Sequence, residues 1–96
     1  MKLVYTDQAL KDLDGIFVYQ SLNWPNLRSG FERRLTLLED HILAFPKAAP
    51  EIPERAGVRG VLLHLYPYRL YYRVEDSQIV ILSIRHTAQR PFAEDL

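Results

Sequence analysis

Residues Tyr66 to Val74 read YPYRLYYRV, and this stretch decides the fold. Pro67 marks a turn. After it, Tyr68, Leu70, Tyr72 and Val74 alternate with Arg69, Tyr71 and Arg73, the two-residue period of a strand with one face buried and the other exposed. The first set reads as the core face and the second as the exposed one. Downstream, Glu75 to Ser77 suits a tight turn. Gln78 to His86 (QIVILSIRH) is then a nearly continuous apolar strand, apt for the middle of a sheet covered by helices on one side. Upstream, Val58 to Tyr66 is β-branched and leucine-rich. The three runs predict three sequential antiparallel strands.

Before them the period changes from two to nearly four. Leu27, Phe31, Leu35, Leu38, Ile42 and Phe45 recur every three or four positions, the stripe of an amphipathic helix that Pro46 ends. An earlier stripe, Ala9, Leu10, Leu13, Ile16 and Phe17, predicts a first helix with Lys11, Asp12 and Asp14 on its solvated side. Gly15 weakens that helix by about 1 kcal/mol relative to alanine without stopping it. Ser21 to Asn26 breaks the pattern, with Asn23 as a cap and Pro25 suited to a first helical turn. Two amphipathic helices this close in sequence form an antiparallel hairpin. Lys2 to Tyr5 fits a short first strand with Leu3 and Tyr5 on one side, and Thr6 or Asp7 caps the helix that follows. The Pro-rich stretch from Pro46 to Gly57, PKAAPEIPERAG, reads as an extended surface loop. The expectation is an α+β, two-layer β-α-α-β-β-β fold, a helical hairpin on a small, mostly antiparallel sheet.

The 96 residues leave room for one domain spanning 1–96, and 48% hydrophobic residues are too many for a disordered chain. The absence of cysteine removes disulfides, a thiolate nucleophile and thiolate metal sites together, and is compatible with a reducing cytosol. The N-terminal stretch carries Asp7, Asp12 and Asp14, which does not fit a signal peptide, and no apolar run approaches the about 20 residues of a membrane span. A cytoplasmic protein without membrane association is expected. Lys plus Arg and Asp plus Glu both number 12, which argues against a general electrostatic grip on nucleic acid. The charge is uneven, however: between Arg55 and Arg90 lie six arginines against two acids, Glu75 and Asp76, an excess of four positive charges.

That segment holds the candidate site. Arg69, Tyr71 and Arg73 on one strand face combine cations with a phenol, and an interval of about 6.6 to 7 Å between the guanidinium groups would suit two phosphates or two carboxylates. The plainer alternative is a solvated outer face. Four of six tyrosines fall within Tyr66 to Tyr72, and mixed Tyr and Arg surfaces are enriched at recognition interfaces. His64 and His86 are conceivable general bases, and Arg59, Arg85 and Arg90 could stabilise an anion. Alternation places His86 beside Val80, Leu82 and Ile84, favouring a structural histidine that closes the core. His41 beside Glu39 and Asp40 shows no ligand spacing, so neither a metal nor another cofactor is expected. Asp12 with Asp14, and Glu39 with Asp40, read as solvated helix faces. A small open sheet also leaves strand edges that another chain could pair with.

The order of helical hairpin, Pro-rich loop, GVRG, YPYRLYYRV, and ILSIRH followed by RP resembles the RelE/ParE superfamily of bacterial toxin–antitoxin toxins. The opening ALKDLDGIFVY is similar to the first helix of ParE-type members. The likeness runs from Val4 to about Pro91 and is most specific in Tyr66 to Val74.

The resemblance implies a toxin neutralised by a cognate antitoxin, and two mechanisms compete within the superfamily. RelE-like members are ribosome-dependent mRNA endoribonucleases that use lysines and arginines, often with a C-terminal tyrosine or histidine. ParE-like members inhibit DNA gyrase by binding it. Arg69 matches the superfamily arginine of the middle strand. The lysines of the nucleases are missing, since Gly60 to Leu65 reads GVLLHL, and after Arg85 there is Phe92 but no tyrosine. An apolar strand in place of a lysine cluster suits protein better than RNA. The implied function is therefore a ParE-like gyrase inhibitor held by a ParD-like antitoxin, with Arg69, Tyr71, Arg73, Arg85 and Arg90 lining the partner-binding surface and no catalytic residue. The alternative is a RelE-like endoribonuclease using His86 with Arg69 or Arg85, the one case in which direct nucleic-acid binding is expected. Whether such a toxin serves plasmid stabilisation or a chromosomal stress response is a matter of genetic context.

Overall fold

A computed structural model describes residues 1–88. Strand β1 (Lys2–Tyr5) leads into helix α1 (Asp7–Asn23), and one 3-10 turn (Pro25–Leu27) joins it to helix α2 (Arg28–Ala44). Strands β2 (Arg59–Leu62), β3 (Tyr68–Val74) and β4 (Gln78–His86) follow. The sheet order is β1-β4-β3-β2: β1 runs parallel to β4, and the other two pairings are antiparallel. This is the expected α+β architecture, two helices on one face of a four-stranded mixed sheet, with the apolar β4 in the interior of the sheet.

Local chemistry sets the start of α1. Thr6 is extended and its Oγ1 accepts from the Ala9 amide at 3.1 Å, satisfying one of the unpaired donors of the first turn. The same hydroxyl donates to the Leu82 carbonyl at 3.1 Å, so the cap also fastens the helix to β4. Helix α1 continues through Ser21 to Asn23, past the expected break. Asn23 is its last residue rather than a cap for the next helix, and its side-chain amide donates back to the Tyr19 carbonyl at 2.9 Å. Trp24 ends the helix, and Pro25 opens the 3-10 turn, where its missing N–H costs nothing.

The core lies between the hairpin and the sheet. Ala9 and Ile16 of α1 and Phe31, Leu35 and Ile42 of α2 pack on Tyr68, Leu70, Tyr72, Ile79, Ile81 and Ile84. Phe31 is fully buried and meets Phe17, Tyr66 and Tyr68 edge-on at centroid distances of 5.9, 5.4 and 5.7 Å. Three stripe residues fall outside this core: Leu10, Leu27 and Phe45 are exposed, because they lie at the margins of their faces and nothing among the described residues covers them there.

Two sheet expectations are corrected. Strand β2 is four residues long, not the nine from Val58 to Tyr66. Val58 precedes it, and the chain leaves the sheet after Leu62 into a turn where Leu65 has a positive φ of 72°. The register of β4 against β3 also slips between Tyr71 and Tyr72. Tyr71 faces Ser83 and Tyr72 faces Ile81, so Leu82 is an extra residue, a β-bulge. The bulge reverses the alternation along β4. Ile79 and Ile81 face the helices before it and Ile84 after it, whereas Leu82 packs on the other side of the sheet with Val80.

Candidate functional site

The face of the sheet turned away from the helices carries the arginines. Alternation along β3 puts Arg69, Tyr71 and Arg73 there, opposite the core residues Tyr68, Leu70 and Tyr72. Arg69 is exposed and Arg73 half-buried, and neither makes an ion pair among the described residues. The Arg73 Nε is buried with no hydrogen-bond partner among them.

Tyr71 does not share the expected exposure. It is only 6% exposed and forms a second small core with Val58 and Leu82, flanked by Ile52 and Val80. The cause is the Pro-rich loop. The Ile52 amide donates to the Val58 carbonyl at 2.8 Å and the Gly60 amide to the Pro50 carbonyl at 3.4 Å, folding the loop along the outer edge of β2. Gly60 permits the closure, since a Cβ there would lie 3.1 Å from Ile52 Cγ2 and 3.4 Å from the Tyr71 ring. Tyr71 thus forms part of a packed floor between the arginines, not a side chain projecting into solvent.

The spacing of the cations also differs from expectation. Arg69 and Arg73 are four positions apart on β3, about 13 Å of strand rise, twice the interval between neighbours on one face. The close pair lies across strands. Arg69 and Arg85 are direct register partners, so their Cα atoms are about 4.5 to 5.5 Å apart on the same face. Leu62 of β2, paired with Arg69 and 52% exposed, extends the row with an apolar side chain. Like charges placed directly opposite one another destabilise a strand pair.

Arg85 is held from below. Its Nε donates to Ser83 Oγ at 3.3 Å, and that hydroxyl donates to Asp12 Oδ2 at 2.7 Å. The same carboxylate oxygen accepts from the Ile84 amide at 3.0 Å. Asp12 is therefore half-buried and bonded rather than solvated. Past the end of β1, strand β4 has an unpaired edge, and α1 brings a carboxylate to it. Nothing in the one-dimensional pattern marks Asp12 or Ser83 for this part, since 71 positions separate them.

The remaining candidates lie elsewhere. His86 pairs with Tyr68 and meets its ring edge-on at 5.5 Å, so it belongs to the helix-side face, opposite Arg69 and Arg85. The bulge put it there, with Ile84 rather than with Val80 and Leu82. Its Nδ1 accepts from the Ala88 amide at 3.0 Å. The structure thus does not bring together His86, Arg69 and Arg85. Arg59 anchors the Pro-rich loop by donating to the carbonyls of Ala49 and Lys47. His64 is exposed in the turn between β2 and β3, and Arg90 lies outside the described residues. The strand positions of the arginine face, read from the register, include no His, Asp or Glu. Chemically the face offers cations on an apolar floor: it can receive carboxylates or phosphates, and its strands supply no general base.

Comparisons with known proteins agree with the fold. A family model described as the ParE toxin of the type II toxin–antitoxin system parDE matches residues 3–91. Among solved structures, the chromosomal ParDE toxin–antitoxin system from P. aeruginosa superposes with a TM-score of 0.77 at 25% identity, over 90% of this chain and 95% of that one. A YoeB/ParE toxin from Agrobacterium tumefaciens gives 0.64 at 19% identity, over 90% and 98% of the two chains. The isolated E. coli RelE toxin gives 0.54 at 21% identity, over 97% and 89%. No curated protein matches in sequence. With the family model covering nearly all of the described residues and the fold shared with both ParE and RelE toxins, the chain belongs to the ParE toxin family of type II toxin–antitoxin systems.

Proposed function

We propose that this ParE-family toxin acts by stoichiometric protein binding, inhibiting DNA gyrase, and that a ParD-like antitoxin neutralises it by laying acidic and apolar residues across the arginine face. The supporting observation is the position of Arg69 opposite Arg85, with His86 on the other side of the sheet. Two cations in cross-strand register beside exposed Leu62 and buried Tyr71 offer carboxylates of a partner charge-assisted hydrogen bonds on an apolar floor. A nuclease would need a proton acceptor within hydrogen-bond reach of the ribose 2′-OH held by those same arginines, and their strands carry none.

The test is a supercoiling assay with purified gyrase. Inhibition that titrates with the chain and is reversed by the antitoxin supports the reading. Full gyrase activity, together with in-frame cuts in translated messages when the chain is expressed, replaces it with the endoribonuclease.

A further inference from the structure

A second site lies on the helix side of the sheet, where the end of α1 and the 3-10 turn meet the start of β3. Tyr19, Gln20 and Trp24 on one side and Tyr66, Tyr68 and His86 on the other line a partly open cavity of about 200 Å³ there. Three of these residues come from the strand side and are held by the core: Tyr66 and Tyr68 pack edge-on against Phe31, and His86 packs against Tyr68. The opposite wall is Tyr19 stacked edge-on with Trp24 at 5.5 Å. A cavity of about 150 Å³ takes a benzene ring, so this one accepts a single planar aromatic group between aromatic walls.

One wall residue is anomalous. Gln20 is 3% exposed, and its Oε1 is buried with no hydrogen-bond partner among the described residues. A buried amide oxygen without a donor costs about 1 to 3 kcal/mol. The terminal torsion of a glutamine is broad, so the amide can turn its oxygen toward an occupant without leaving the wall. Burial, with Tyr19 next to it, holds the Tyr68 hydroxyl in its neutral form by raising its pKa, so the cavity offers polar groups but no negative charge of its own. The rim is apolar. Tyr19, Trp24 and Leu27 are about half exposed, and the patch continues along α1 through exposed Val18 and Leu22.

We propose that this cavity is a recognition pocket for one aromatic side chain bearing an N–H or O–H donor, a tryptophan or tyrosine of a protein partner, whose donor satisfies Gln20. A nucleobase would fit the ring slot, but among the described lining residues its phosphates would find no arginine or lysine, and Lys11, the lysine among the described residues of the adjoining groove, has Asp12 beside it. A protein partner instead finds a ready ring of apolar contacts around the pocket, the arrangement that excludes water from a buried anchor. The pocket faces away from Arg69 and Arg85, and its occupancy does not depend on gyrase inhibition.

The experiment is an NMR titration of the full chain with N-acetyl-tryptophanamide, indole, 1-methylindole and AMP. Saturable shifts from the first two, confined to Tyr19, Trp24, Tyr66, Tyr68 and His86, are expected. 1-Methylindole should bind roughly fivefold more weakly, the loss of one hydrogen bond. Gln20→Leu should abolish that discrimination while still binding indole. Should that variant not fold, Leu27→Glu on the exposed rim should weaken N-acetyl-tryptophanamide binding in a chain of unchanged fold. No saturable shift, equal affinity for indole and 1-methylindole in the unmodified chain, or preference for AMP over N-acetyl-tryptophanamide would each overturn the assignment.

Discussion

Arg69 and Arg85 face each other across β3 and β4, one exposed and the other steadied through Ser83 by Asp12. Two guanidinium groups in direct cross-strand register repel, and the repulsion is screened by salt. Arg69→Thr should therefore stabilise the free chain by roughly 0.2 to 1 kcal/mol, more at low ionic strength than at high. Thermal melts of both proteins at two salt concentrations check this, and a gain independent of salt would mean that the pair does not interact.

The same residues should work in the opposite sense in a complex. Arg69→Glu with Arg73→Glu should weaken antitoxin binding by about 2 to 5 kcal/mol, since each change replaces an attraction to carboxylates by a repulsion. Calorimetry measures it. Unchanged affinity would remove this face from the interface.

Asp12 carries a brace that nothing else on α1 can replace. Asp12→Ala leaves the Ile84 amide and the Ser83 hydroxyl without their acceptor and should cost about 1 to 3 kcal/mol, whereas Asp12→Asn, which keeps one acceptor oxygen, should cost less. Urea denaturation of the three proteins gives the order.

High pH should unfold the chain through buried phenols. Burial, the hydrogen bond to Glu39 and the charge of Glu39, in that order, raise the pKa of Tyr5 above its ordinary 10.0. Burial likewise raises those of Tyr68 and Tyr72, the latter against a lowering by Arg59. A folded-state value above the unfolded one means that the unfolded chain releases its protons first. The stabilisation is then complete below about pH 10 and is lost as pH rises beyond it. The melting temperature should fall above about pH 10, and Tyr5→Phe should give a lower value at neutral pH with a shallower alkaline decline. An identical alkaline slope in the variant would show that Tyr5 is not the group responsible.

Two backbone positions should tolerate improvement. Gly15 sits inside α1 with nothing within 4 Å of an added Cβ, so Gly15→Ala should stabilise by about 0.5 to 1 kcal/mol. Leu65 has a φ of 72° and is exposed, so Leu65→Gly should relieve about 1 kcal/mol of left-handed strain, less the glycine's greater unfolded freedom. Chemical denaturation measures each. A loss of stability at Leu65 would show that its side chain supports the turn.

Periodicity alone determined the element types, their order and the two-layer architecture. The period-four stripe through Phe31, Leu35 and Ile42 and the period-two run through Tyr68, Leu70 and Tyr72 record which side of each element meets apolar neighbours, and burial is what imposes both periods. The outward aim of Arg69 was legible for the same reason. Tertiary structure decided the rest, because it depended on partners distant in the chain. A single extra residue at Leu82 sent His86 to the helix side, away from the arginines. A loop folded over Gly60 buried Tyr71, and the end of β1 left an edge amide for Asp12. Alternation says which residues share a face only while the ladder is regular, and it cannot say what another segment will lay on that face.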